Sequence, residues 1–523
     1  MNVISIWEII WIIIMKLKKK FEKNVFIFNI FSVLFIQVLI KIVGTIYNLF
    51  LTNNPIYSDA GNGMFMSAYQ VYILFLTFSI ISIPISISKI VSEKCKSLED
   101  IRKVISIYLV IWGFIGFLEM IIVNIFSKEI TKYFLKNEEL EIVLDILSVS
   151  FIFVNFNAVY RGALNGISKS YVGVRIQFLE QILKVLITLF GIKFLRKIGL
   201  ENRENIVIII SVSITLSIMS VTYIYKRKLE KGIKNINNKK EVNISYKEVI
   251  KELINISIPI TILGIFGTIN KNIDSFSMFS FLKDKYLQEE ISKMYGIIVS
   301  KVDTLINLPI GLNTSITIPL LPKLSKSYSK NDFYNIRKDM IFSLRIALMF
   351  AIPSMFIYFF FSKEILNLLY PLANSGSKSL MLASILIVIN IILQIIVVYY
   401  NSIRKINIVI KSYLIGTIIK LILNIILIPN EMILENGILI SSIIADICII
   451  FILIVNYNFR KIKLSILDLE LEDIICKSFI LILISKLLFK FIKMYVLNLN
   501  FVFVISTGIG IFVYILLIFL KKY

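Results

Sequence analysis

The sequence contains no histidine, and its three cysteines, Cys95, Cys448 and Cys476, are far apart. The first absence removes imidazole acid–base chemistry, Ser-His-Asp triads and His-ligated metal. The cysteines form no CxxC pair, so no zinc or thiol-redox motif is written here. No GxxxxGK[ST] run occurs, which excludes a P-loop ATPase. Charge is scarce as well: 17% of residues are Asp, Glu, Lys or Arg, against about 25% in a typical soluble domain. An enzyme would have few tools left.

What is abundant is apolar. Of 523 residues 57% are hydrophobic, and the mean hydropathy is +0.84. So apolar a chain cannot hide its surface in one soluble core. The same composition excludes disorder, collagen and coiled coil. The bilayer is the solvent that fits. The net charge of +23 would suggest nucleic acid in a soluble protein. Here the basic residues sit mostly between apolar runs, which reads as an orientation signal and as attraction to anionic lipid. No nucleic-acid partner is expected.

A spanning helix needs about 20 apolar residues. Runs of that kind lie near 25–50, 64–91, 104–126, 142–165, 174–195, 205–225, 248–281, 295–320, 341–361, 378–400, 408–428, 436–457, 472–491 and 498–520. The fold class expected is therefore an all-α polytopic membrane protein with about fourteen transmembrane helices. Pro84 and Pro259, in the two long runs, predict kinks or tilt. With the N-terminus inside, the even-numbered connections are cytoplasmic and basic, as in KCKSLEDIRK and KRKLEKGIKNINNKK. The outer connections SDAGNG and PNEMILENG carry no basic residue. One outer loop, IKFLRKIGLENR, disagrees. The asymmetry follows the positive-inside rule and places both termini in the cytoplasm. The opening MNVISIWEIIWIIIM is too short to span and is interrupted by Glu8; it reads as an interfacial helix or as a start mis-assigned ahead of Met15.

Residues 160–192 repeat as 396–428 without a gap. Asn165 pairs with Asn401, Lys169 with Lys405, Arg175 with Lys411 and Lys184 with Lys420. A weaker echo joins Gly44-Thr45-Ile46 to Gly267-Thr268-Ile269. The repeat predicts two parallel six-helix lobes around a central cavity, plus a C-terminal helix pair. The divisions expected are an extension over 1–23, an N-lobe over 24–230, a basic cytoplasmic linker over 231–246, a C-lobe over 247–463 and the extra pair over 464–523. Repeat-built membrane proteins of this kind are transporters that bind cargo near the midplane.

Charges within spans are costly and mark pathways. Lys41 stands mid-run with no acid within a turn. Glu180 and Lys184, four apart on one helix face, are spaced to pair. Lys271 and Asp274, Lys301 and Asp303, and Lys420 and Asp446 lie within later spans, and Arg161 lies near the inner end of the fourth. Lys89, Arg161 and Arg175 are close enough to the interface to snorkel. The excess of intramembrane cations suggests an anionic cargo such as a phosphate group.

The segment GNGMFMSAYQVYILFLTFSIISIPISISKIVSE resembles the second helix of the stage V sporulation protein B group. Tyr160-Arg161-Gly162, Asn165-Gly166 and Glu180-Gln181 resemble that group's YRG…QG…EQ signature, and Lys41 through Tyr47 resembles its first helix. Lys301-Val302-Asp303, Leu308-Pro309, Pro319 and Pro322-Lys323-Leu324-Ser325 resemble the eighth helix of the MurJ lipid II flippases. The resemblance runs over about 24–460 and implies the multidrug/oligosaccharidyl-lipid/polysaccharide exporter superfamily. Such proteins have a central cavity, and the charges within spans predict that Lys41, Arg161, Lys301, Asp303, Glu180, Lys184, Lys271 and Asp274 line it. Where MurJ proteins carry a basic residue stands Thr304, and where they carry Arg stands Tyr47. An ion site of some relatives corresponds to Asp274 and Asn424, but the acid expected one turn later is Ile428.

The function expected is an alternating-access flippase for an undecaprenyl-pyrophosphate-linked cell-wall precursor, lipid II first, in the bacterial cytoplasmic membrane. The alternatives are a flippase for another lipid-linked polysaccharide unit (capsule, O-antigen or teichoic acid) and a cation-coupled multidrug exporter. A membrane glycosyltransferase would need carboxylates in a long outer loop, which the chain lacks. No cofactor is expected; coupling to membrane potential, Na+ or H+ is left open. The partners implied are an undecaprenyl-linked anionic lipid, the membrane and the cell-wall synthesis machinery.

Overall fold

The computed structural model describes residues 25–520 except 81, 94, 96, 234–244, 457, 458, 460–466 and 497. The expected extension over 1–23 and most of the expected linker over 231–246 lie outside the described residues. Among the described residues there is no strand. In hydrocarbon, backbone donors and acceptors find no water, and a helix satisfies them within one segment.

In chain order the α-helices are α1 Val25–Thr52, α2 Ser58–Ile80, α3 Ser82–Glu93, α4 Leu98–Glu129, α5 Glu141–Ser148, α6 Ser150–Gly166, α7 Ser170–Lys197, α8 Arg203–Ile233, α9 Tyr246–Leu282 and α10 Gln288–Gly296. They continue as α11 Asp303–Leu312, α12 Thr314–Ser329, α13 Phe333–Phe360, α14 Ser362–Leu369, α15 Ser377–Ser402, α16 Ile406–Leu427, α17 Asn436–Val455, α18 Leu471–Ile492 and α19 Leu499–Leu520. Eleven helical segments are long and apolar enough to cross a membrane. The other three expected spans coincide with α7, α9 and α18, each of which carries charges within its apolar run. The chain is thus an all-α, multi-pass membrane protein, and the count of fourteen rests on those three.

One local expectation needs correction. SDAGNG is not a connection; it forms the first turns of α2. Its glycines serve close approach between helices. A Cβ on Gly63 would stand 1.7 Å from the Ser292 carbonyl oxygen, and one on Gly296 would stand 1.9 Å from that of Asp59. At Pro259 α9 is continuous over Tyr246–Leu282. The 64–91 run is covered by α2 and α3, described on either side of residue 81, and Pro84 lies within α3. Polar caps mark several starts. Ser97 and Asp100 form a capping box on α4, and the Asp332 carboxylate accepts from the Asn335 N–H at the start of α13.

The residues form two compact units. The first holds residues up to 48 and 68–269, the second 49–67 and 270–523. The cuts fall inside α1, α2 and α9, so these units are distinct from the repeat-based lobes 24–230 and 247–463. The core of the first unit gathers Ile87, Val104, Tyr108, Ala163 and Val221 from α3, α4, α6 and α8. Gly162 and Gly166 let α6 lie on α3: a Cβ at Gly162 would stand 1.9 Å from Ile87 Cγ2, and one at Gly166 2.7 Å from Val91 Cβ. Ile36 of α1 packs with Val174 and Phe178 of α7. In the second unit α15 is central, packed against α12, α13 and α17. The C-terminal pair docks there as well. The Tyr514 hydroxyl donates to the Met349 carbonyl at 2.9 Å, and the Phe361 ring lies between those of Phe489 and Phe503.

Candidate functional site: an intramembrane cavity and three crossed lysine–aspartate pairs

In the first unit α6 and α7 place charged side chains around a cavity of about 260 Å³, lined among others by Tyr69, Asn157, Arg161, Glu180, Gln181 and Lys184. The α3–α6 approach that Gly162 permits sets Arg161 beside the end of α2, where its guanidinium donates to the Ile80 carbonyl at 2.8 Å. On α7, Gln177, Glu180, Gln181 and Lys184 follow helical spacing and line the same cavity. Gln37 of α1 reaches Gln177 at 3.4 Å.

The expected Glu180–Lys184 pair is not made as a direct contact among the described residues. The Lys184 ammonium instead lies 5.1 Å from the centroid of the Tyr47 ring, an attractive cation–π placement. Tyr47 is fixed by Thr188 at 3.0 Å, and Thr188 by Ser213 at 2.7 Å. Where the family resemblance calls for Arg, this chain therefore has a tyrosine carrying a lysine from another helix. Lys41, two turns before Tyr47, is exposed.

The remaining candidates lie in the second unit, paired across helices rather than along them. Lys301 sits in a π-helical turn, Ile297–Val302, a geometry enriched at functional positions. Its side chain is 0% exposed. Its ammonium donates to Asp59 Oδ2 at 2.8 Å, to the Ala373 carbonyl at 2.7 Å and to the Ser375 carbonyl at 2.8 Å, which uses its three donors. The Ser375 hydroxyl adds a bond to the same Asp59 oxygen at 3.1 Å. The Lys301 cation is thus turned to Asp59 and the 373–375 loop, not to open space.

Lys271 pairs with Asp303. Lys420 pairs with Asp274 at 2.7 Å, both nearly fully buried. Asn424 donates to the other Asp274 oxygen at 3.1 Å, and the Ser441 hydroxyl donates to Asn424. The structure therefore brings the expected ion-site residues Asp274 and Asn424 together, with the Lys420 ammonium in the place a cation would take. Among the described residues no group of three Cys, Asp or Glu is arranged to hold a metal.

Asp59 and Ser375 escaped sequence reasoning. Asp59 had one available signal: a lysine within a span demands a carboxylate, and SDAGNG supplies one beside two glycines suited to helix contact.

The sequence model of the family described as "Polysaccharide biosynthesis protein" matches residues 26–328. The chain is 22% identical over 464 residues to "Lipid II flippase MurJ" of Bacillus subtilis (strain 168), spanning 83% of this chain and 84% of that protein. It is 22% identical over 320 residues to "Sporulation protein YkvU" of the same organism, spanning 60% and 68%. Among solved structures, "Lipid II flippase MurJ, inward closed conformation" superposes with a TM-score of 0.70 at 19% identity, covering 94% of this chain and 99% of that one. An inward-facing multidrug resistance MATE family transporter of the MOP superfamily gives 0.64 at 12% identity, covering 81% and 94%.

Proposed function

The chain belongs to the polysaccharide biosynthesis protein family, and from that premise we propose that it is a flippase that carries an undecaprenyl-pyrophosphate-linked cell-wall precursor, most simply lipid II, from the inner to the outer leaflet. Extent of coverage is the observation that carries this reading. The lipid II flippase structure covers 94% of the chain and the MATE transporter 81%, and the chain carries the α18–α19 pair after its first twelve expected spans. A twelve-helix drug exporter would leave that pair unexplained.

The chemistry agrees. A diphosphate headgroup cannot cross hydrocarbon unaided. Arg161 and Lys184 in the first-unit cavity, with exposed Lys41, offer charge-assisted partners that replace its hydration. Outward movement of an anion runs down an inside-negative potential, about 2.3 kcal/mol per charge per 100 mV. No nucleotide site is then required, and no covalent step occurs. On this reading both termini lie in the cytoplasm, which the basic even-numbered connections support. The family description favours a second reading, a flippase for another lipid-linked polysaccharide unit. Complementation separates the two. A strain depleted of its lipid II flippase should grow when this chain is expressed; failure with normal membrane levels, alongside rescue of a capsule or teichoic acid export block, favours the second.

A further inference from the structure

We propose that the first unit carries a separate site for the phosphate headgroup of an anionic membrane phospholipid, between the start of α7 and the end of α8. A cavity of about 420 Å³ opens there, and it shares no lining residue with the Arg161 cavity. Lys169, Arg175, Lys228 and Lys231 line it, and no carboxylate does. Its wall is apolar, formed by Ile176, Leu179 and Ile224 among others. Cations at the mouth and hydrocarbon along the wall match a phosphodiester with its acyl chains, and match neither a soluble anion nor a neutral lipid.

The local structure builds this arrangement. Lys228 and Lys231 are one turn apart and share a face of α8; both are exposed and form no ion pair among the described residues. Arg175 is half-buried with its guanidinium 5.1 Å from the Tyr171 ring centroid, which holds the planar donor in place. Lys169 donates to the Gly232 carbonyl at 2.9 Å, tying the α7 entry to the end of α8. On the expected topology both ends are cytoplasmic, the side where anionic headgroups attract basic groups. The inference does not depend on which cargo the chain moves.

Native mass spectrometry of the full chain in neutral detergent tests it, with dioleoylphosphatidylglycerol as probe, dioleoylphosphatidylcholine as neutral comparison and glycerol 1-phosphate as chainless comparison. The wild type should bind the glycerol lipid at least about tenfold more tightly than the choline lipid, and glycerol 1-phosphate should not displace it. Lys228→Gln with Lys231→Gln should weaken binding about twenty-five-fold, about fivefold per charge. Lys326→Gln with Lys330→Gln, an equal charge loss at exposed positions outside the cavity, should change it less than about twofold. Equal losses in the two variants, displacement by glycerol 1-phosphate, or no headgroup preference overturns the proposal. If the double variant aggregates, Lys231→Gln alone carries the same test at fivefold.

Discussion

Lys301 of the π-helical turn and Asp59 of the first turn of α2 meet at 2.8 Å with essentially no exposed surface, although 242 residues separate them in the chain. Taking two charges out of water is expensive, and only a complete set of partners offsets it. Removing one partner should therefore harm more than removing both. Lys301→Met or Asp59→Asn alone should cost about 3–5 kcal/mol, seen as lost folded protein on heating in detergent. The double replacement should recover most of that loss. A double variant no better than the worse single would show that the pair is not the stabilising unit.

Two glycines give opposite expectations. Gly162→Ala puts a Cβ against Ile87 and the α3 backbone and should destabilise by about 1–3 kcal/mol. Gly267→Ala in α9 meets nothing within 4 Å and should be neutral or stabilising by up to about 1 kcal/mol. Melting temperatures of the purified variants check both signs.

Much of the architecture was legible before any coordinates, because lipid forces long apolar runs into helices. The eleven apolar spans fall on expected runs. The site was legible only in part. That Lys271, Asp274, Lys301, Asp303 and Lys420 matter could be read from the cost of intramembrane charge, but not how they pair. Local spacing offered a pairing only for Glu180 with Lys184; the fold joins Lys271 to Asp303, Lys420 to Asp274 and Lys301 to Asp59. Pairing across helices depends on helix neighbours, which no periodicity encodes. Asp59 was hidden further because glycines in a close helix crossing look the same in sequence as glycines in a turn.

The Lys420 ammonium on Asp274 bears on energy coupling. With that lysine and Asn424 holding both carboxylate oxygens, translocation by the wild type should not change when external Na+ is replaced by K+. A several-fold dependence on Na+ in vesicles would show that a free cation reaches Asp274 and that the pair opens during turnover.

Lys41 is exposed on α1, so Lys41→Gln should leave expression and melting unchanged. It should still abolish rescue of a flippase-depleted strain, because a charge-assisted partner is stronger than a neutral one. Lys41→Arg should rescue in part, keeping the charge but not the geometry. Full rescue by Lys41→Gln at wild-type protein levels would remove Lys41 from the cargo path.

The most direct measurement is transbilayer movement of lipid II in vesicles reconstituted with the purified chain, using wild type, Arg161→Gln and Lys184→Gln. The wild type should move lipid II well above protein-free vesicles and faster with an inside-negative potential. Each variant, correctly folded, should lose at least about tenfold, the loss of one charge-assisted contact. Wild-type vesicles that move lipid II no faster than empty ones, or variants that match the wild type, would contradict a flippase working through this cavity.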